Sequence, residues 1–151
     1  MIPACVPEVM NEEHILSLEI ERMPKQMGVA FGDTRRYPYL SVAATSTHDM
    51  STIRGWWRED RALTERYWRE VLRNDGTAEE ECSGATAERI IEREMLSGSI
   101  FAILPLQDWL AIDERLRLTD PDAERINIPA DADHYWRYRM HLNIEELIDA
   151  D

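Results

Sequence analysis

Ser46-Thr47-His48-Asp49 sets four polar side chains directly after the uncharged run Tyr39-Leu40-Ser41-Val42-Ala43-Ala44-Thr45. The run alternates, with Leu40, Val42 and Ala44 on one side and the small Ser41, Ala43 and Thr45 on the other. A strand without charge on either face is normally covered on both sides, as in parallel sheets. Polar side chains at the carboxyl end of such a strand, just before a helix, stand where barrel enzymes hold their chemistry. A plainer account is open too. Asp49 suits a helix N-cap for the amides near Ser51 and Thr52, and His48 suits a half-buried, hydrogen-bonded histidine.

Ile100-Phe101-Ala102-Ile103-Leu104-Pro105-Leu106-Gln107-Asp108 makes the same move, from apolar residues to a polar pair. Glu19 and Glu21 end another alternating run, either as a solvated strand end or as part of a loop over a substrate cleft. The adjacent Trp56 and Trp57 cannot both face inward from one helix stripe. One is expected in the core and the other near a groove, where an aromatic plane can lie against a sugar ring. The pair Arg35-Arg36 reads as surface or carboxylate contacts rather than a substrate clamp.

These residues need elements to position them. Alternation predicts strands over 16–20, 40–45 and 101–104. Helical spacing predicts a short helix over 7–13, one from Ser51 to about 60, and an amphipathic one over 61–73 with an i,i+4 pair Glu65–Arg69. Asn74-Asp75-Gly76 stops that helix. Glu79-Glu80-Glu81 reads as a solvated loop or helix start. Another helix is expected from Thr86 to Met95, a short one through Trp109 and Leu116, and a terminal one after Asn143. Residues 25–37 and 118–133 read as long loops, and the aromatic, basic stretch 134–141 is expected to wrap back over the domain. No repeat of constant period occurs. The theme of strand, polar end and helix appears three times, a β/α pattern with too few strands to close a barrel of eight. The strands are expected to lie parallel in chain order, with the helices on one face.

A chain of 151 residues can bury the core of one domain. Its net charge of -13, from 17 basic and 30 acidic residues, argues against nucleic acid and against an anionic membrane surface. A neutral substrate or a protein partner fits better. Cys5 and Cys82 have no paired-motif spacing, so neither a disulfide framework nor a zinc site is indicated, and no cofactor is expected. Neither a signal peptide nor an apolar stretch of membrane-spanning length is found, and a reduced cytoplasmic compartment is the expectation.

Several segments, in one order, resemble a known family. They are Cys5-Val6-Pro7-Glu8-Val9-Met10, residues 15–25, Ser46-Thr47-His48-Asp49, Arg54-Gly55-Trp56-Trp57, Pro105-Leu106-Gln107-Asp108, Arg125-Ile126-Asn127-Ile128-Pro129 and His134-Tyr135-Trp136-Arg137-Tyr138-Arg139-Met140. Together they resemble the C-terminal part of 4-α-glucanotransferases, also called amylomaltases or disproportionating enzymes. The likeness is nearest to the branch that includes the plant cytosolic disproportionating enzyme, and it spans essentially the whole chain. It implies an α/β fold: the last three or so β/α units of a (β/α)₈ TIM barrel, with residues 1–151 forming one C-terminal segment. It implies retaining transfer of α-1,4-glucan segments, which uses an aspartate nucleophile, a glutamate acid/base and a second, stabilising aspartate. Asp49 matches the stabiliser and His48 its sugar-contacting neighbour. Thr47, Arg54, Gln107 and Asp108 are the other implied substrate-binding residues.

The nucleophile and the acid/base precede the matching region in that family, and Glu8, Glu19 and Glu21 do not stand at their motif positions. The resemblance therefore implies activity only together with an upstream part of the barrel. A non-catalytic remnant that binds glucan or a protein partner is the alternative.

Overall fold

The computed structural model describes residues 3–148. Three short parallel strands lie in chain order, β1 (Ser17–Glu19), β2 (Ser41–Ala43) and β3 (Phe101–Ala102), with β2 in the centre. Leu18 stands beside Val42, and Val42 beside Phe101. Order and direction agree with the sequence expectation, while each strand is shorter than its apolar run. The bonds from Ala44 N to Glu19 O (3.0 Å) and from Ile103 N to Ala43 O (2.9 Å) carry the pairing slightly further.

Helices α1 (Val6–Glu12), α2 (Ile53–Glu59), α3 (Arg61–Glu70), α4 (Gly84–Met95), α5 (Leu106–Leu110) and α6 (Ile144–Ile148) follow the expected order. Two 3₁₀ turns, Thr34–Arg36 and Pro121–Glu124, lie within stretches expected to be loop. Local chemistry fixes the helix starts. Thr52, Asp60 and Ser83 each accept a backbone N–H at the N-terminus of α2, α3 and α4. Helix α4 begins at Gly84, ahead of the expected Thr86. A Cβ there would lie 2.1 Å from the Ile112 carbonyl oxygen, so the absent side chain lets the chain after α5 close on this helix. Glu65 pairs with Arg61 (2.8 Å) instead of Arg69, whose guanidinium donates to the Glu65 carbonyl.

The sheet is covered on one face, not on both as its uncharged strand implied. Ser41 and Ala43 are fully buried, and Thr45 shares a small cavity with Ile53, Trp56, Tyr67 and Ile90. Small side chains on this side let the helices approach closely. On the alternate side Leu18 and Phe101 are 44 % and 53 % exposed, with Val42 between them.

Both tryptophans are buried, contrary to the one-stripe expectation. Five successive residues of α2, Ile53 to Trp57, are withdrawn from solvent, because this helix is enclosed on more than one side. Trp56 lies edge-on to Tyr67 (5.1 Å) with the Arg22 guanidinium over it, and Trp57 lies edge-on to Trp68 (6.4 Å). Trp57 is fully enclosed, whereas Trp56, though mostly buried, lines an open cleft with Arg22 and Asp49, the groove position expected for one of the pair. Among the described residues no helix is long and apolar enough to cross a membrane.

Candidate active site

Beyond β2 the chain stays buried through Thr45 and Ser46, then surfaces at Thr47-His48-Asp49. A turn bond from Met50 N to Thr47 O (3.1 Å) folds it back toward α2. The Asp49 carboxylate does not cap that helix. Thr52 takes the cap position, and Asp108 Oδ1 accepts the Ile53 N–H at 2.8 Å. Asp49 instead accepts a hydrogen bond from Asn127 Nδ2 at 2.6 Å, and half of its side chain remains open to solvent. His48 Nε2 lies 3.4 Å from the other carboxylate oxygen. The His48 carbonyl accepts the Asn127 N–H at 3.0 Å, and its ring meets Trp136 with centroids 4.7 Å apart. Asp49 opens onto a cleft of about 280 Å³ that it lines with Arg22, Met50, Trp56, Glu59 and Arg125.

The remaining sequence candidates divide by burial. Thr47 is partly exposed and lines a narrow crevice with His48 and Gln107. Gln107 and Asp108 do not end the third strand, as the sequence run implied; they lie in the first turn of α5. Asp108 is fully buried, and its carboxylate accepts from Thr45 Oγ1 (2.5 Å), Ser46 Oγ (2.9 Å) and the Ile53 amide. It therefore ties the end of β2 to the start of α2. Arg54 is buried as well, paired with Glu124 at 2.5 Å and donating to the carbonyls of Leu118 and Thr119. Glu124 also accepts from Thr52, and Gln107 Nε2 donates to its carbonyl oxygen. Burial pushes the Glu124 carboxyl above its usual range, against the pull of Arg54.

Glu21 is neither a solvated strand end nor part of a cleft loop. It is 2 % exposed, held by the Arg93 guanidinium and by the Tyr67 hydroxyl. Its amide donates to Glu94 Oε1 at 3.1 Å. Glu94 is buried beside it, and desolvation raises its carboxyl to about 8. Glu19 pairs with Lys25. Arg35 pairs with Asp33 on the surface, as read from the sequence. Two residues of the site escaped sequence reasoning: Asn127 and Trp136 stood in recognised segments without any periodicity or spacing that assigned them a role. Among the described residues no group of three or more His, Cys, Asp or Glu is placed to hold a metal ion.

The sequence profile of the 4-alpha-glucanotransferase family matches residues 1–144. The chain belongs to the 4-alpha-glucanotransferase family. It is 38 % identical to the rice 4-alpha-glucanotransferase DPE2 over 149 residues, 99 % of this chain and 16 % of the rice protein. It is 34 % identical to a 4-alpha-glucanotransferase of Chlamydia muridarum over 113 residues, 74 % of this chain and 21 % of that protein. The fold is similar to the amylomaltase from Streptococcus agalactiae solved in complex with acarbose, with a TM-score of 0.69 at 18 % identity. That match covers 97 % of this chain and 27 % of the amylomaltase. The chain thus spans less than a third of each of these relatives.

Proposed function

We propose that these residues form the part of a 4-α-glucanotransferase that stabilises the transition state, with Asp49 as the stabilising carboxylate and His48 as a sugar contact. One observation carries the reading: a half-exposed carboxylate at the carboxyl end of the central strand is held by Asn127, while Thr52 and Asp108 meet the needs of the neighbouring helix. Retaining transfer of α-1,4-glucan passes through a ring with oxocarbenium character. A fixed carboxylate beside that ring is more attractive to the transition state than to the neutral sugar, which is what lowers a barrier. Thr47 lines the adjoining crevice as a further polar contact, while Gln107 at its floor is buried and donates to the Glu124 carbonyl. Arg54 and Asp108, withdrawn from solvent, act as positioning residues for the Thr45–Ile53 turn rather than as sugar ligands.

In this reading the nucleophile and the acid/base come from an upstream part of a (β/α)₈ barrel, to which these residues contribute three β/α units. The open apolar face of Leu18, Val42 and Phe101 supports it, since barrel strands pack such side chains inward. A single stabilising carboxylate cannot form or resolve a glycosyl-enzyme intermediate. The purified chain incubated with maltotriose should therefore release no glucose and make no longer oligomers. Adding a separately expressed upstream portion should restore both. Turnover by the chain alone, surviving removal of contaminating enzymes, would count against the assignment.

A further inference from the structure

We propose that the exposed indole of Trp136 forms an aromatic subsite for the glucose ring adjacent to the one held at His48-Asp49. The proposal rests on the glucan reading above and adds a residue to it. Trp136 is 61 % exposed although it is the kind of side chain that folding normally buries. Its segment is not a loose tail. The His134 ring is hydrogen-bonded to the Ile126 carbonyl at 3.1 Å, and the His141 ring to the Leu116 carbonyl at 2.7 Å, one on each side of the indole. One part of the indole meets the His48 ring at a 48° tilt, and the rest is left to solvent.

That placement has a chemical use. A glucose ring presents patches of C–H on its faces, and these lie well against the electron-rich face of an indole. The site needs such a plane because its other exposed groups, Thr47, His48 and Asp49, are polar. Hydrogen bonds alone exchange water for sugar at little net gain. Trp56 and Trp57, the rings that spacing singled out for this purpose, are both buried. Trp136 is in contact with His48, so a sugar on its open face would lie next to one bound by the imidazole and the Asp49 carboxylate. A neutral, extended α-1,4-linked chain fits this row of groups, and it meets no penalty from a protein of net charge -13.

Titration of the 151-residue chain with maltoheptaose, followed through its assigned indole N–H resonances, tests the idea. The Trp136 resonance should shift saturably, while that of the fully enclosed Trp57 stays in place. Trp136→Ala should weaken binding about tenfold, and Trp136→Phe, which keeps an aromatic plane, should recover most of it. Because the ring is exposed, neither change should alter the thermal transition. Saturable shifts at Thr47 and His48 without one at Trp136 would overturn the subsite and leave the glucan reading standing. Equal affinity of wild type and Trp136→Ala would do the same. No saturable shift anywhere in the folded chain would overturn both.

Discussion

Asn127 and Asp49, 78 positions apart in sequence, are joined by a 2.6 Å hydrogen bond from the amide to the carboxylate. The Asn127 backbone N–H also reaches the His48 carbonyl, so one residue of the 126–128 loop holds both members of the candidate pair. Its side chain is almost fully buried, which leaves the amide few other orientations. In the enzyme assembled with its upstream portion, Asn127→Ala should lower kcat by about 10²-fold with little change in KM, because it frees the carboxylate without removing it. Steady-state kinetics separate the two constants. An effect confined to KM would assign Asn127 to ground-state binding instead.

Asp49→Asn keeps the shape of the side chain and removes its charge. Stabilisation of an oxocarbenium-like ring should fall by about 10²–10³-fold in kcat. The thermal midpoint of the variant should stay near that of the wild type, since Thr52 and Asp108 serve the helix start that Asp49 was a candidate to cap. Calorimetry beside the kinetics checks both. Normal turnover with a lowered midpoint would make Asp49 a structural residue.

Strand order and direction were readable from alternation, because a parallel pair needs a long crossover and the helical periods between the strands supplied it. The polar turn at the end of β2 was readable for the same reason. What spacing cannot carry is the partner of a buried polar group. Glu21 read as a solvated strand end or a cleft loop because it closes an alternating run, yet its partners Tyr67 and Arg93 arrive from α3 and α4. Trp56 and Trp57 were divided between core and groove by an argument that assumes a helix covered on one side, and α2 is covered on more. On local residues a cap was the commoner option for Asp49, and the family resemblance pointed instead to a stabilising carboxylate. In the fold Thr52 takes the cap, and Asp49 is bonded by Asn127 from the far end of the chain, a partner that spacing cannot predict.

Glu94 gives the fold a pH dependence. Burial raises its carboxyl from the usual 4.5 to about 8, with Glu21 adding repulsion and Arg93 and Arg22 opposing. Tyr37 and Tyr67 also face this cluster. The native state thus holds the Glu94 proton over a range where the unfolded chain has lost it. Its contribution is fully present below about pH 4.5, declines as pH rises, and is gone above about 8. Glu94→Gln keeps a neutral group of the same shape. It should raise the thermal midpoint at pH 8–9, by an amount on the order of a few kcal/mol in stability, and change it little at pH 5. Melting curves of both proteins across that range provide the check. A pH-independent difference would mean that Glu94 is ionised in the fold.

Arg54 and Glu124 are 6 % and 2 % exposed in their side chains, and their pair is surrounded by the Leu118 and Thr119 carbonyls and the Thr52 hydroxyl. Removing one member leaves the other charge without compensation. Arg54→Ala should cost about 3–5 kcal/mol, a large share of the stability of a domain this size. Arg54→Ala combined with Glu124→Ala should cost less than the two single changes added together. Urea unfolding of the four proteins measures the coupling. Additive losses would show that the pair acts only through packing.

The open face of the sheet leads to the last test. Leu18, Val42 and Phe101 stand side by side across the three strands, and Phe101 is half exposed. If that face packs into a barrel interior with the upstream strands, a charge on it matters only in the assembled protein. Phe101→Asp should change the stability of the 151-residue chain by no more than about 0.5 kcal/mol, as for other exposed positions. Mixed with the upstream portion, the same variant should fail to restore glucan transfer, because burying an unpaired carboxylate is costly. Phe101→Leu should restore it, since shape rather than chemistry is altered. Urea melts of the chain and an assay of the mixture read the two effects separately. Full recovery of activity with Phe101→Asp would mean that the exposed sheet face remains outside the barrel core. The proposed placing of Asp49 against an upstream nucleophile and acid/base would then need a different geometry.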